Sequence, residues 1–377
     1  VNSTEATAPS SASLQHNEDL NWAVENLLTY DNTFADVHSL NVVAMYSAEQ
    51  TTKTQSHMSG KDIPNEFFQY YNIGRADGEI TVNPNYQNYE QTGLVSWMGR
   101  VMYSYDNKYM LAATVRSDAS SRLAEGHKWH TYPAFSLGWN IKNESFMKDV
   151  AWLSGLKLRA SWGVNGNDNI GDMRYTTTMV GGNNYPFGTG GTENVQNGNK
   201  PNGLTNPNIK WEESVQTDLG FDLGFANNSL TLSIDYYTKE TRGMLMEMQV
   251  PSYAGDSAPI GNVGNMINRG IELDLGYRGS AGELNYSING NISYNTNELT
   301  YLGDESTYLT GDSHKIGTLN RGDVGMVFPY FWGWKTNGVF QNMAEVEAYT
   351  WTDADGNTSM IQPNAKPGDF RWTDVNN

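Results

Sequence analysis

The 377-residue chain contains no cysteine. Disulfides, thiolate metal sites and a cysteine nucleophile are therefore excluded, while the compartment is left open. Long apolar runs are also missing. A hydrophobic fraction of 38% and a mean hydropathy of -0.58, with no stretch approaching the roughly eighteen apolar residues that a spanning helix requires, exclude a helical membrane protein. Basic residues are scarce. Lys and Arg number 24 against 42 Asp and Glu, a net charge of -18, which lacks the basic footprint that nucleic acid or an anionic surface demands. The first thirty residues hold no positively charged start followed by an apolar core, so no signal peptide is read there.

What the chain has instead is strict alternation. Between residues 213 and 225, Val215, Thr217, Leu219, Phe221, Leu223 and Phe225 fall on one face of an extended strand. Gln216, Asp218, Gly220, Asp222 and Gly224 fall on the other, because successive side chains of a strand point to opposite sides. After Ala226-Asn227-Asn228 the pattern resumes, with Leu230, Leu232, Ile234 and Tyr236 set against Thr231, Ser233, Asp235 and Tyr237, as in an antiparallel hairpin. The same period recurs at 109–118, 156–164, 271–278 and 284–294, and more weakly at 20–28, 38–47, 93–105 and 131–141. About ten strands result, several close to the ~9–11 residues that cross a bilayer when tilted. One face suits lipid and the other water.

A soluble all-β sandwich or propeller also alternates, but its strands are typically about five or six residues long. Tyr103, Tyr105, Tyr109, Tyr236, Tyr237, Tyr277 and Tyr294 collect near strand ends, where amphipathic rings belong at a headgroup boundary. The links add an orientation. Short ones at 30–37, 106–108, 142–155, 226–229 and 279–282 alternate with long ones at 48–92, 119–130, 165–212, 240–267 and from 296 onward. Outer-membrane barrels have short periplasmic turns and long extracellular loops, and the long loops are where recognition is expected. The fold class expected is all-β: an antiparallel up-and-down transmembrane β-barrel. Residues 1–295 would form wall strands and loops, and residues 296–377 a long extracellular segment. The chain stops in the loop-like PGDFRWTDVNN (367–377) with no closing strand and no plug domain, so an internal piece of a larger barrel is expected.

Six stretches carry a resemblance: RSDASSRL (116–123), LKLRASWGVNGNDNIG (156–171), WEESVQTDLGFDLGF (211–225), DYYTKETRGML (235–245), NVGNMINRGIELDLG (262–276), and GWKTNGVFQN (333–342) followed by PGDFRWTDVN. In that order they resemble the SusC/RagA family of TonB-linked outer-membrane proteins, over residues from about 92 to 377. Residues 1–91 match a more variable region. Ala119 and Leu123 depart from the family's usual Gly and Phe. The resemblance implies a 22-stranded barrel in the bacterial outer membrane and a plug and energy-coupling segment upstream. It also implies a SusD-like surface lipoprotein as lid and energy from TonB-ExbB-ExbD. The substrate would be an oligosaccharide or a peptide.

No motif points to catalysis or a cofactor. His127 and His130 with Glu125 sit in a Gly- and Lys-containing loop rather than on a helix face that would fix metal-ligand spacing. GTGG at 188–191 lacks the strand before and the helix after that a phosphate-cradling loop needs. Asp374 and Asn376 alternate like the start of a calcium loop, with a polar turn as the plainer reading. The candidate contacts are therefore of binding type. Arg116 and Asp118, with Arg159, Asp218, Asp222, Glu272 and Asp274, are expected to face the lumen, where wall or plug contacts compete with substrate contacts. Trp332, Trp334, Trp351 and Trp372 in the last outer segment offer large rigid faces for sugar rings or a lid protein, against the alternative of packing within the loop. Two further readings stand beside the importer: a passive porin-like or receptor barrel, and a soluble secreted glycan-binding or glycan-degrading domain, which would need convergent carboxylates and a polar outer surface.

Overall fold

The computed structural model describes residues 10–373 apart from positions 65–66, 68–69, 84–85, 173, 189–193, 249, 252, 254, 304–307, 312, 315–316 and 354. Asp374, Asn376 and most of the GTGG stretch lie outside the described residues. The chain divides into two compact units, Val1–Ser306 and Thr307–Asn377.

The first unit is built on one large antiparallel sheet, beside two small two-stranded ones at Met179–Val180 with Lys200–Pro201 and Tyr185–Phe187 with Asn194–Gln196. Its long strands are β1 (Ser11–Phe34), β2 (His38–Lys61), β3 (Asn88–Tyr105), β4 (Tyr109–Ser120), β5 (Trp129–Asn140), β6 (Leu153–Asn167), β7 (Glu212–Phe225), β8 (Leu230–Glu247), β9 (Ile260–Ala281) and β10 (Leu284–Leu302). Each pairs with its sequence neighbours from β1 through to β10, and a short strand, Ile80–Val82, adds to β2. The up-and-down meander is thus present, open between β1 and β10 among the described residues.

Register carries one apolar face from β6 to β10. Leu158 of β6 lies opposite Phe221 of β7, Phe221 opposite Ile234 of β8, Ile234 opposite Leu273 of β9, and Leu273 opposite Ile292 of β10. One residue along, Lys157, Asp222, Ser233, Asp274 and Asn291 are aligned on the other face. A slip of one residue at any pair would invert that strand, so the alternation and the pairing specify each other. Leu219 and Phe221 remain 46% and 42% exposed while the intervening Gly220 is buried; this is the inverse of a soluble sheet, whose apolar face is covered.

The turns at one end are tight because their residues accept left-handed backbone. Asp106 and Asn107 both have positive φ, 48° and 50°, and Lys108 N–H closes the turn on Tyr105 O at 2.8 Å, the mirror-image turn whose twist matches a hairpin. Ala226, Asn227 and Asn228 do the same between β7 and β8. The link between β5 and β6 is longer and contains two 3-10 turns, Ile141–Asn143 and Ser145–Met147.

The outer strand halves extend further than their alternation suggests. β2 continues to Lys61 and β3 begins at Asn88, inside what reads as a 48–92 loop. β8 and β9 likewise reach Glu247 and Ile260 within the 240–267 loop. Main-chain ladder bonds need no alternating apolar face, so strands continue where the period-two pattern is lost. Tyr237 is a second correction: it lies inward over Gly270, on the polar face, and is not a headgroup-boundary ring.

The second unit contains short hairpins and one helical turn. Tyr308–Thr310, Asn320–Asp323 and Tyr330–Phe331 form a three-stranded sheet, and Thr350–Thr352 pairs with Thr358–Met360. α1 (Met343–Ala348) is capped by Asn342, whose side chain accepts from Glu345 N at 2.9 Å. Phe340 and Val346 are its buried apolar residues.

Candidate functional site

The inward face of the wall is a chain of ion pairs and hydrogen bonds. Arg159 of β6 is its hub: the guanidinium donates to both Asp222 oxygens at 2.8 and 2.9 Å, to Asp235 at 3.0 Å and to Ser233 Oγ at 3.1 Å. Three strands are joined by one planar group, since a guanidinium presents several donors in a fixed fork. Gly220 makes this possible. A Cβ there would overlap the Asp235 carboxylate and stand 2.9 Å from Arg159. Ser161 donates to Asp218 at 2.9 Å, extending the network toward the outer end.

Arg116 and Asp118 meet as the alternation requires. They are two residues apart on β4, on the same face, and Arg116 Nε donates to Asp118 at 2.9 and 3.0 Å while its Nη2 donates to Ser96 of β3 at 3.0 Å. Each is therefore engaged by the wall itself. Among the loop histidines, His130 pairs with Glu213 at 2.9 Å, a wall contact across the top of β6.

At the outer strand ends, Leu123, Ala124, Tyr132, Ile170, Ile209 and Trp211 form a buried apolar cluster. Trp211 donates its ring N–H to Lys128 O at 2.8 Å, and Tyr132 packs edge-on against it at 5.7 Å. Asn262 holds the same loop from the other side: it accepts from Lys210 N at 3.0 Å and donates to Lys210 O and Gly243 O, each at 2.9 Å. The WEES and NVGN motifs thus fix where the 168–211 loop returns to the wall.

The four tryptophans fall into separate groups within the second unit. Trp332 packs on Arg321, whose guanidinium is 4.3 Å from that ring and 4.0 Å from the ring of Tyr308. Asp323 receives Arg321 at 2.8–3.0 Å and the Tyr330 hydroxyl, and the Arg321 guanidinium holds its carboxyl below the usual carboxylate range. Trp334 tilts against Trp372 at 6.2 Å, and Trp372 against Phe370 at 5.9 Å. Trp351 stands on the Thr350–Thr352 hairpin. Trp334 is 80% exposed and Phe331 92%. The Arg321 clamp and Phe331 were not legible in the sequence: the RGD spacing of 321–323 acquires meaning only once Asn320–Asp323 lies between two aromatic strands.

The chain matches the family described as TonB dependent receptor-like, beta-barrel, over residues 2–376. It is 32% identical over 318 residues to the TonB-dependent receptor P39 of Formosa agariphila, covering 84% of this chain and 29% of that protein. It is 36% identical over 239 residues to the TonB-dependent receptor SusC of Bacteroides thetaiotaomicron, covering 61% of this chain and 23% of SusC. The solved RagAB peptide transporter superposes with a TM-score of 0.76 at 20% identity, over 92% of this chain and 37% of that one, a likeness of fold. The chain thus spans less than a third of the length of either named receptor. An open sheet with an apolar outward face, short turns at one end and matches of this extent leads to one conclusion: the chain belongs to the TonB-dependent receptor-like β-barrel family of the outer membrane.

Proposed function

We propose that these residues are part of the wall and outer loops of a SusC-type importer that carries an oligosaccharide or a peptide across the outer membrane. The observation that carries this reading is the division of β6 to β10 into an apolar outward face and a hydrogen-bonded polar inward face, in a chain of the TonB-dependent family. A polar inner wall suits a hydrated ligand and a plug, whereas a glycan-degrading domain would place its apolar face inside. The complete protein would take its energy from TonB-ExbB-ExbD through a plug outside these residues and work beneath a SusD-like surface lipoprotein. In this reading Arg116, Asp118 and the Arg159 hub shape the inner wall, and Trp332, Trp334, Trp351 and Trp372 contact substrate or lid. Residues 1–295 act as wall and residues 296–377 as an outer segment. The ligand passes chemically unchanged.

The test is uptake of labelled oligosaccharides and peptides by cells carrying the complete gene, with and without TonB. The expected result is accumulation of one ligand class that is lost without TonB or on collapse of the proton-motive force. Undiminished entry without TonB would favour a passive porin, and cleavage of the ligand by the purified protein would overturn the importer.

A further inference from the structure

The link between β5 and β6 differs from the other connections at the short-turn end in being long and in carrying large exposed rings among its polar residues. Its two 3-10 turns present Phe146, 65% exposed, and the link ends at Trp152, 67% exposed. Both ends are fastened to lipid-side residues. Glu144 accepts from the Tyr109 hydroxyl at 2.5 Å and from the Trp139 ring N–H at 3.0 Å. Those two rings are opposite one another, stacked at 6.4 Å, in the register that carries the apolar outward face. Trp152 stacks at 5.9 Å on Phe225, which also follows the outward parity. The link therefore runs along the membrane side of the rim.

It is also stiff. Lys142 Nζ donates to Met147 O at 3.0 Å and Val150 O at 2.7 Å, and Asn143 Nδ2 donates to Asn107 O at 3.0 Å, tying the link to the neighbouring turn. Its occupant follows from charge and continuity. Asp106, Lys108, Lys142, Glu144, Lys148 and Asp149 sum to zero, which gives no preference for an anionic surface, and Trp152 joins the link to the lipid-facing band through Phe225. We propose that residues 141–152 form an interfacial foot that seats Phe146 and Trp152 at the headgroup boundary of a zwitterionic phospholipid leaflet, with Glu144 as its positioning residue. Rings of this kind favour that depth because an apolar body and a polar tip are both satisfied there.

The test places a nitroxide label on Phe146→Cys in the complete protein, freed of any other cysteine and reconstituted in phosphatidylethanolamine–phosphatidylcholine vesicles. A label on Glu283→Cys, in the tight β9–β10 turn, serves as reference. Relative collision with oxygen over a water-soluble nickel chelate is expected to be several-fold higher at 146 than at 283, and Glu144→Ala is expected to lower it toward the reference. Equal ratios at 146 and 283 would put the foot in water and overturn the proposal. Shielding from both reagents would mean that protein covers it, and dependence on anionic lipid would refute the zwitterionic assignment. If Phe146→Cys does not assemble, the exposed Ser145 carries the label in its place, with the same outcomes.

Discussion

At the scale of single residues, the wall is asymmetric in what it tolerates. Gly220 is hemmed in by Asp235 and Arg159, whereas a Cβ at Gly99 or Gly290 would meet nothing within 4 Å. Gly220→Ala should therefore cost about 1–3 kcal/mol through overpacking and a disturbed ion pair. Gly99→Ala and Gly290→Ala, on the outward face, should be near neutral in the same denaturant titration of the protein folded in vesicles. Lipid exposure gives the complementary contrast. Ile292→Lys should cost about 2–4 kcal/mol near the midplane and Asn291→Lys much less; Asn291 makes a cleaner inward control than Asp222, whose carboxylate is committed to Arg159. Equal losses at 291 and 292 would reject the inside-outside assignment. The sequence placed these residues on their faces through parity alone. It did not reveal that Arg159 joins β6, β7 and β8, because that depends on which strands are neighbours and on a glycine opposite the guanidinium.

At the scale of elements, alternation located all ten wall strands, and turn residues located the short links. The strand ends were hidden for a physical reason: Thr51–Lys61 of β2 has mostly polar side chains on both faces, and at the end of β8 a register shift beside Met244-Leu245-Met246 breaks the alternation, while ladder bonds hold both. The foot was hidden too, since IKNES (141–145) reads as an ordinary polar loop until Glu144 is seen between Tyr109 and Trp139. Those two donors hold the Glu144 carboxyl below its ordinary value, the Tyr109 hydroxyl first and the Trp139 N–H second, against a small opposing effect of burial. A depressed carboxylate stabilises the fold above its unfolded pKa, and that contribution is lost as pH falls through the folded value. Protection of the amides across 141–152, measured against their intrinsic exchange rate at each pH, should thus be highest at neutral pH and fall below the usual carboxylate range. Glu144→Gln should flatten this response; an unchanged pH profile in that variant would assign the effect to another group.

At the scale of the whole molecule, two compact units mean two separate sources of stability. The wall is held by strand pairing and its outer apolar cluster, and the second unit by a core of its own. Phe340, 1% exposed, meets Tyr349 at 5.7 Å, and the Tyr349 hydroxyl donates to Trp372 O, so one buried ring supports the Trp334–Trp372–Phe370 group. None of this was readable beforehand: the sequence showed an aromatic-rich outer segment, but which rings are buried and which exposed depends on pairings such as Thr336 with Trp372 and Val339 with Phe370. Removing a buried Phe side chain typically costs about 3–5 kcal/mol, which is enough to melt a unit of this size while a paired sheet persists. Phe340→Ala is therefore expected to raise hydrogen exchange and proteolysis across residues 336–372, leaving β3 through β9 protected. Loss of protection in the wall strands as well would show that the second unit is required for the wall to fold, and the division at Ser306 would have to be abandoned.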